Sequence, residues 1–187
     1  MVRLATPARR DVISSAGGGA GGPLILTALL PPELQARMNA LRREHFPPER
    51  NHLPAHVTLF HAFPPSCEAE LRQVMAQIAG ANPPPRGRLA GLMPLGGGTA
   101  IALSSPALLA IRDDVADRFH ALLSPQDRGR PRLHVTIQNK VSAGEARRLQ
   151  MKLSQEMHPL DFAFTGLALN AYQGGPWHDL KSWSFRG

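Results

Sequence analysis

Cysteine is almost absent from this chain of 187 residues, because Cys67 is the only one. A single thiol excludes an internal disulfide and a thiolate metal cluster, since both need several cysteines. No apolar run approaches the roughly 20 residues of a membrane span, and no apolar segment follows the amino terminus as in a secretory signal. We therefore expect a protein of the cytoplasm.

Acidic residues are also scarce, with 14 Asp and Glu against 21 Lys and Arg, for a formal net charge of +7. Most of the basic residues are arginines, and the planar guanidinium group suits phosphate. Such a balance is compatible with nucleic acid or a phosphorylated substrate, although an ordinary basic protein fits the charge equally well. The carboxylates form no cluster along the chain that would hold a catalytic ion.

Large side chains are absent from residues 14–22, which are only Gly, Ser and Ala. We predict a flexible leader over residues 1–22, because such a segment cannot bury apolar surface. Its glycines lack the Lys-Ser/Thr ending and the preceding strand of a phosphate-binding loop. Residues 23–187 are long enough for one compact domain.

What the chain does contain is one motif twice, His-Val-Thr followed by an aliphatic residue, at positions 56 and 134. With eight histidines in the chain, random order would give about 0.01 such His-Val-Thr matches. In a strand, alternate side chains share a face, so His56 joins Thr58 and His134 joins Thr136, with the aliphatic residues opposite. Two imidazoles can act as base and acid, and two hydroxyls can donate to phosphate oxygens. The alternative is two unrelated strands that carry polar residues on a solvent face.

The order of predicted elements also repeats. Each half contains a strand, a helix opened by proline, a His-Val-Thr strand, a helix opened by serine and a further strand, the last of the first half ending at residue 95. Single strands are predicted over 160–171 and 177–185. This repetition predicts a duplicated β-α-β-α-β unit with pseudo-two-fold symmetry. The two lobes, about 23–95 and 96–187, are expected to meet across a central cleft.

The two motifs, together with the ending Tyr-Gln-Gly-Gly-Pro-Trp at 172–177 and Trp-Ser-Phe at 183–185, resemble the 2H phosphoesterase superfamily. That superfamily includes the bacterial 2′-5′ RNA ligase and RNA 2′,3′-cyclic phosphodiesterase proteins. The resemblance covers residues 23–187 and implies a bilobal α+β fold of antiparallel-rich sheets. It further implies that His56, Thr58, His134 and Thr136 lie on the cleft floor.

The function that this resemblance implies is hydrolysis of 2′,3′-cyclic phosphodiesters, on RNA ends or small cyclic nucleotides, without metal or cofactor. Which histidine is base and which is acid stays open. One alternative is a 2′-5′ RNA ligase that runs the same chemistry in reverse. Another is a non-catalytic RNA- or nucleotide-binding module. We expect the chain to act as a monomer.

Three residues near the motifs continue their alternation and are candidate substrate contacts. Phe60 is in phase with the first motif, where it would stack a base or else pack in the core. Gln138 and Lys140 are in phase with the second motif. Lys140 would contact phosphate or ribose, or else be a solvated residue at the end of a strand.

Other candidates lie outside the alternation. Arg130 and Arg132 precede the second motif and would gather an anionic substrate, unless they form a plain basic loop. Tyr172, with Trp177 across the glycine turn, would cover the cleft or else pack within a hairpin.

A zinc site built from His52, His56 and His61 is conceivable from residue type alone. Zinc takes three or four converging ligands, however, and strand alternation sends His56 and His61 to opposite faces. We therefore predict no metal and no cofactor.

Overall fold

The computed structural model describes residues 21–187, which form four α-helices and eight β-strands. The predicted leader lies mostly outside these residues. The helices are α1 (Pro32–His45), α2 (Glu68–Ala81), α3 (Pro106–Arg118) and α4 (Ala143–Glu156). The strands are β1 (Leu24–Leu29), β2 (Val57–Phe63), β3 (Arg86–Pro94), β4 (Gly98–Ser104), β5 (His134–Asn139), β6 (Asp161–Ala163), β7 (Gly166–Ala171) and β8 (His178–Ser184).

The strands form two antiparallel four-stranded sheets, ordered β2-β1-β7-β8 and β5-β4-β3-β6. Each sheet therefore carries one His-Val-Thr strand at its edge, and the two edge strands, β2 and β5, contact each other. Helix α2 packs on β7 and β8, and α4 packs on β3 and β4. Helix α1 contacts β5, so it links the first sheet to the second motif.

The helix starts follow the local sequence. Pro32 occupies the first turn of α1, where a missing N–H costs nothing. The hydroxyl of Ser105 accepts a hydrogen bond from the backbone N–H of Leu108 at the start of α3. Ser142 and Glu145 form the predicted capping box of α4. The predicted helices are confirmed at all of these positions.

The internal duplication is present, but the sheets do not follow the predicted lobes. The series β1-α1-β2-α2 corresponds to β4-α3-β5-α4, with its motif strand at the same place in the sheet. After each series a strand crosses to the other sheet: β3 follows α2 but pairs with β4, whereas β7, which comes after α4 and β6, pairs with β1. Neither sheet is confined to one side of residue 95, because each takes strands from both sides of it.

The predicted single strand over 160–171 is also wrong, because it divides between the two sheets. β6 pairs with β3, and β7 pairs with β1. At the break, the N–H of Phe164 donates to the carbonyl of Pro85, and that of Thr165 donates to the carbonyl of Leu29. Neighbouring residues thus bond to different sheets. Within residues 21–187, none of the helices is long and apolar enough to cross a membrane.

Candidate active site

The two motifs lie where the edge strands meet. His56 directly precedes β2, and His134 is the first residue of β5. Val57 and Val135 are fully buried, whereas both histidines and the two motif threonines are only half-buried. The predicted alternation of each motif is confirmed, with aliphatic residues in the core and polar residues at the surface between the sheets.

Both imidazole rings are anchored in the same way. Nδ1 of His56 lies 2.8 Å from the carbonyl oxygen of Pro54, and Nδ1 of His134 lies 2.7 Å from that of Arg132. A carbonyl oxygen only accepts, so Nδ1 must carry the hydrogen in each ring. Nε2 is then the atom that each ring offers to a ligand, as an acceptor when neutral and a donor when protonated.

The surroundings of His56 lower its pKa below the ordinary value for histidine. Desolvation is the largest cause, since burial disfavours the charged ring. The bond to Pro54 opposes this shift, whereas the positive charges of Arg42, His134 and His61 add to it. His56 therefore favours the neutral form, in which Nε2 can accept a proton.

An irregularity in β2 changes the expected position of Phe60. Thr58 pairs with Thr27 of β1, but the next pair joins Phe60 to Leu26, so β2 contains one extra residue between them. Such a bulge turns the following side chains to the opposite face. Phe60 is fully buried and packs against Phe63 with ring centroids 4.8 Å apart. Its predicted contact with substrate is wrong, and core packing is what the structure shows.

The same irregularity occurs at the equivalent place in β5. Thr136 pairs with Ala100, but the next pair joins Gln138 to Thr99. Gln138 is only 6% exposed and bonds to the Thr99 hydroxyl at 3.4 Å. That hydroxyl also accepts from Gln150 of α4, so Gln138 faces the helix rather than the motif side. Its predicted contact with substrate is likewise wrong.

One of the two aromatic residues predicted to cover the cleft, Trp177, lies at the first histidine. The Trp177 ring is tilted against that of His56, with centroids 4.6 Å apart. From these two residues a cavity of about 780 Å³ extends over the first sheet. Its polar lining on the strands comprises Thr27, Asn170, Asp179, Lys181 and Ser182. The glycine turn before Trp177 was the available signal, but local sequence does not say how far such a loop folds back.

Residues 30–176 match the family model of the 2′-5′ RNA ligase superfamily, which is more than half of the chain. The chain belongs to this superfamily. The resemblance to the 2H phosphoesterases is thereby confirmed.

Solved structures share the fold of this superfamily member at low sequence identity. TT0787 of Thermus thermophilus is 18% identical with a TM-score of 0.61, covering 88% of this chain and 98% of its own. Escherichia coli LigT in complex with 3′-AMP is 18% identical with a TM-score of 0.55, covering 89% and 99%. LigT with NADP+ is 20% identical with a TM-score of 0.52, covering 90% and 100%. No curated protein sequence matches the chain.

Three basic residues of this 2′-5′ RNA ligase superfamily member were also predicted to contact the substrate, and their surroundings differ. Arg130 forms an ion pair with Asp113 of α3 at 3.1 Å. Arg132 contributes its carbonyl to His134, and its side chain is exposed. Lys140 is exposed in the turn after β5, at a backbone φ of 61°. The exposed side chains of Arg132 and Lys140 are therefore accessible to an anionic ligand, whereas the guanidinium group of Arg130 is paired with the Asp113 carboxylate.

Of the two aromatic residues at the glycine turn, it is not Tyr172 that meets the histidine. The backbone N–H of Tyr172 donates to the carbonyl of Pro23, just before the first residue of β1. His56 lies near the other end of β1, because Ala28 pairs with Val57, the residue after His56. The Tyr172 side chain is 42% exposed and does not line the cavity. The predicted role of Tyr172 as a cover is therefore wrong, and Trp177 lies in that place.

Among the described residues, the two other histidines near the first motif form no metal-binding group with it, although His52 lines the same cavity as His56. His52 is exposed in a loop, and His61 points to the buried carboxylate of Asp127, with its Nδ1 3.0 Å from Oδ1. Asp127 also accepts the backbone N–H groups of His61 and Ala62 and the hydroxyl of Ser124. Among residues 21–187, no group of three His, Cys, Asp or Glu side chains is placed to hold a metal ion.

Proposed function

We propose that this protein hydrolyses 2′,3′-cyclic phosphodiesters, on RNA ends or small nucleotides, by paired-histidine acid–base catalysis. The observation that carries the proposal is the common anchoring of His56 and His134. Each ring is held through Nδ1 by a carbonyl two residues upstream, and each offers Nε2 to a ligand. A protein that only binds a phosphate needs hydrogen-bond donors. It has no need of two imidazole rings that are each held through Nδ1 and leave Nε2 free to transfer a proton.

The reaction needs a base that accepts one proton and an acid that donates one proton. A water oxygen attacks phosphorus while a neutral imidazole Nε2 accepts the proton that the water loses. The bond from phosphorus to one ribose oxygen breaks, and the second imidazole, in its protonated form, donates a proton to that oxygen. The product is a phosphomonoester beside a free ribose hydroxyl, and the two rings have exchanged protonation states.

The surroundings of the two rings favour one division of roles. The pKa of His56 is lowered, chiefly by desolvation, so this ring is neutral near pH 7 and suited to activate water. His134 then has the role of the acid. The hydroxyls of Thr58 and Thr136, on the same faces as the rings, donate to the non-bridging phosphoryl oxygens. These four groups perform the step without a metal ion.

The nucleoside part of the substrate fits the cavity beside His56. Trp177 supplies an aromatic face, and base stacking on such a face is worth about 1–3 kcal/mol per base. Polar groups on the first sheet supply hydrogen-bond partners for a base or ribose. LigT, which shares the fold, is known in complex with 3′-AMP and with NADP+. RNA ends or small nucleotides are therefore the substrate class that we propose.

The test is turnover of a small panel by the purified chain. The panel contains a 2′,3′-cyclic mononucleotide, an RNA oligonucleotide with a 2′,3′-cyclic phosphate end, and that RNA mixed with a second RNA bearing a 5′-hydroxyl. Gain of one water by the cyclic end, seen by mass spectrometry, supports the proposal. A joined RNA with no hydrolysis would favour the ligase. Retention of RNA without either product would overturn the proposal in favour of a binding module. A monomeric state and a cytoplasmic location stay predictions.

A further inference from the structure

We propose that one polar face of α1, formed by Gln35, Asn39 and Arg42, is a positioning device that holds both histidine motifs in place for the reaction. The proposal rests on the proposed function for its kinetic consequence. Its structural basis is separate, because the three side chains bond to backbone groups of Ala55, just before β2, and of Thr136 in β5.

The first motif is held at the residue before its histidine. The side-chain amide of Gln35 donates to the carbonyl of Ala55 at 2.7 Å. The backbone N–H of Ala55 donates to Oδ1 of Asn39, also at 2.7 Å. Gln35 further donates to Asn39 at 3.3 Å, so the two side chains form one unit. Both polar groups of the Ala55 backbone are thus fixed by α1, directly beside His56.

The second motif is held at its threonine. The guanidinium group of Arg42 donates to the carbonyl of Thr136 at 2.7 Å. Arg42 is only 4% exposed, and its guanidinium group lies 4.3 Å from the ring centroid of Phe46. A buried, stacked arginine has few alternative conformations, so this contact ties α1 to β5 at a defined place.

The spacing of the three residues explains how a single helix reaches both motifs. Positions 35, 39 and 42 lie on one side of a helix, because they follow the i, i+4, i+7 pattern. From the first to the last, the helix rises about 10 Å at 1.5 Å per residue. A helix of this length is rigid, so α1 sets the separation of the two strands across the surface between the sheets.

The first motif needs this support more than the second. In the second sheet, the carbonyl of Leu133, the residue before His134, accepts a backbone hydrogen bond from Leu103 at 2.8 Å. In the first sheet, the pairing of β1 with β2 ends at Ala28 and Val57, so Ala55 lies beyond the ladder. In the first sheet, Gln35 and Asn39 of α1 bond to the backbone before the histidine, whereas in the second sheet the backbone of Leu103 does so. This difference breaks the pseudo-symmetry at the residue before each histidine.

The kinetic test compares four variants. Arg42→Met and Gln35→Met each remove the donor while keeping a long side chain, and Arg43→Met is the matched control, since Arg43 is exposed on the same helix. A displacement of about 1 Å at a catalytic group can cost on the order of 10²-fold in rate. We expect kcat on a 2′,3′-cyclic phosphate to fall about 10- to 100-fold in the first two variants, with little change in KM and none in the control. Arg42→Lys, which keeps one donor, should retain more activity than Arg42→Met.

A second readout does not depend on turnover. NMR titration of the His56 ring in the same variants should show a raised pKa in Arg42→Met, because the nearby positive charge is gone, and no change in Arg43→Met. His134 and His61, the other titratable groups that influence the His56 ring, are present in all of these variants. If the wild-type protein hydrolyses no cyclic phosphate, the proposed function fails while this titration still tests whether Arg42 lies beside the His56 ring in solution.

Two results decide against the positioning role. One is a kcat within twofold of wild type in both Gln35→Met and Arg42→Met, with thermal unfolding showing that the variants are folded. The other is a His56 titration that Arg42→Met leaves unchanged. If Arg42→Met does not fold, Arg42→Gln, which also removes the positive charge, takes its place, and the same two measurements apply to it.

Discussion

A backbone carbonyl two residues upstream decides what each imidazole of the site can do. Because Pro54 and Arg132 accept from Nδ1, both rings present the same nitrogen, and neither can change tautomer without losing a hydrogen bond. The difference between His56 and His134 must then come from their surroundings. Desolvation, with the charge of Arg42 as a further contribution, favours the neutral form of His56.

This difference predicts the pH dependence of the reaction. Since His56 must be neutral to act as base and its pKa is lowered, the acidic limb of kcat/KM should lie below pH 6.5, the ordinary histidine value. The limb at higher pH reports loss of the protonated acid, so the profile should be bell-shaped, with both limbs belonging to the coupled pair. Rates measured on a cyclic mononucleotide from about pH 4 to 9 give the profile. An acidic limb above pH 6.5 would remove the base role from His56.

The threonines should matter less than the histidines. Thr58→Val or Thr136→Val keeps the shape of the side chain and removes one donor to the phosphoryl oxygens. A lost hydrogen bond to a charged group costs about 1.5–3 kcal/mol, or roughly 10- to 100-fold in kcat/KM. The serine variants keep a hydroxyl and serve as controls. Valine variants with wild-type kcat/KM would assign the threonines to the scaffold.

Single residues also show where sequence periodicity stops being informative. The His-x-Thr alternation predicted the exposure of four side chains because each motif is only three residues long and regular. Phe60 and Gln138 lie one residue beyond a bulge, so the same period-2 rule assigned them to the wrong face. A bulge depends on how the neighbouring strand pairs, and local sequence does not determine that pairing.

Strand β2 is bonded by a side chain from another part of the chain. It is an edge strand, and edge strands leave backbone groups unpaired. The carboxylate of Asp127, from the loop before β5, accepts the N–H groups of His61 and Ala62 at 2.9 and 3.0 Å. The guanidinium group of Arg112 in turn donates to the carbonyls of Asp127 and Gly129. This loop therefore joins the first sheet to the second.

Removing the Asp127 carboxylate should destabilise the protein. Asp127→Ala leaves two backbone N–H groups of β2 without their acceptor, and a buried donor without a partner costs about 1–3 kcal/mol. Urea unfolding at pH 7 should show a loss of at least that size. Asp114→Ala, at an exposed position on α3, is the control and should change stability by less than about 0.5 kcal/mol. Equal stability of the two variants would contradict this role for Asp127.

The same carboxylate predicts a dependence of stability on pH. Burial raises the pKa of Asp127, but hydrogen bonds from the His61 side chain and backbone, Ser124 and Ala62 outweigh it, and the net shift is downward. A lowered folded-state pKa means that the stabilisation is complete above about pH 4, the unfolded value, and is lost as the pH falls through the folded value. Urea unfolding at pH 5 and pH 3 should therefore show a smaller acid-induced loss in Asp127→Ala than in wild type. An equal loss would count against the shift.

Elements with their own start signals were predictable. Ser142 with Glu145, and Ser105 with Pro106, encode helix starts in a few adjacent residues, and the structure has helices there. The strand over 160–171 was not predictable as two, because apolar residues continue through the break at Phe164. Only the tertiary fold shows that Phe164 and Thr165 bond to different sheets.

At the scale of the whole molecule, the repeated series of elements is present, but the two repeats exchange strands between their sheets. Each repeat contributes β3 or β7 to the sheet of the other, so neither half of the sequence can complete its own sheet. Element order can be read from sequence, whereas strand pairing between distant segments cannot. The side chains that join the halves, such as Arg42 of α1 bonding to β5, were missed for the same reason.

The whole molecule also carries a prediction about metals. The described residues hold no cluster of three metal-binding side chains. The phosphoryl charge is therefore assigned to the threonine donors and a protonated imidazole. Activity should survive dialysis against EDTA without loss. Loss of turnover in EDTA, restored by zinc or magnesium, would contradict the acid–base account.

The central claim is that two histidines from two interlocked sheets act as one acid–base pair. The most direct measurement is kcat for RNA with a 2′,3′-cyclic phosphate end in His56→Ala and in His134→Ala, with thermal unfolding as the check on folding. General acid–base catalysis contributes about 10²–10⁴-fold, so each variant should lose that much and remain folded. Loss in one variant with wild-type turnover in the other would contradict the claim.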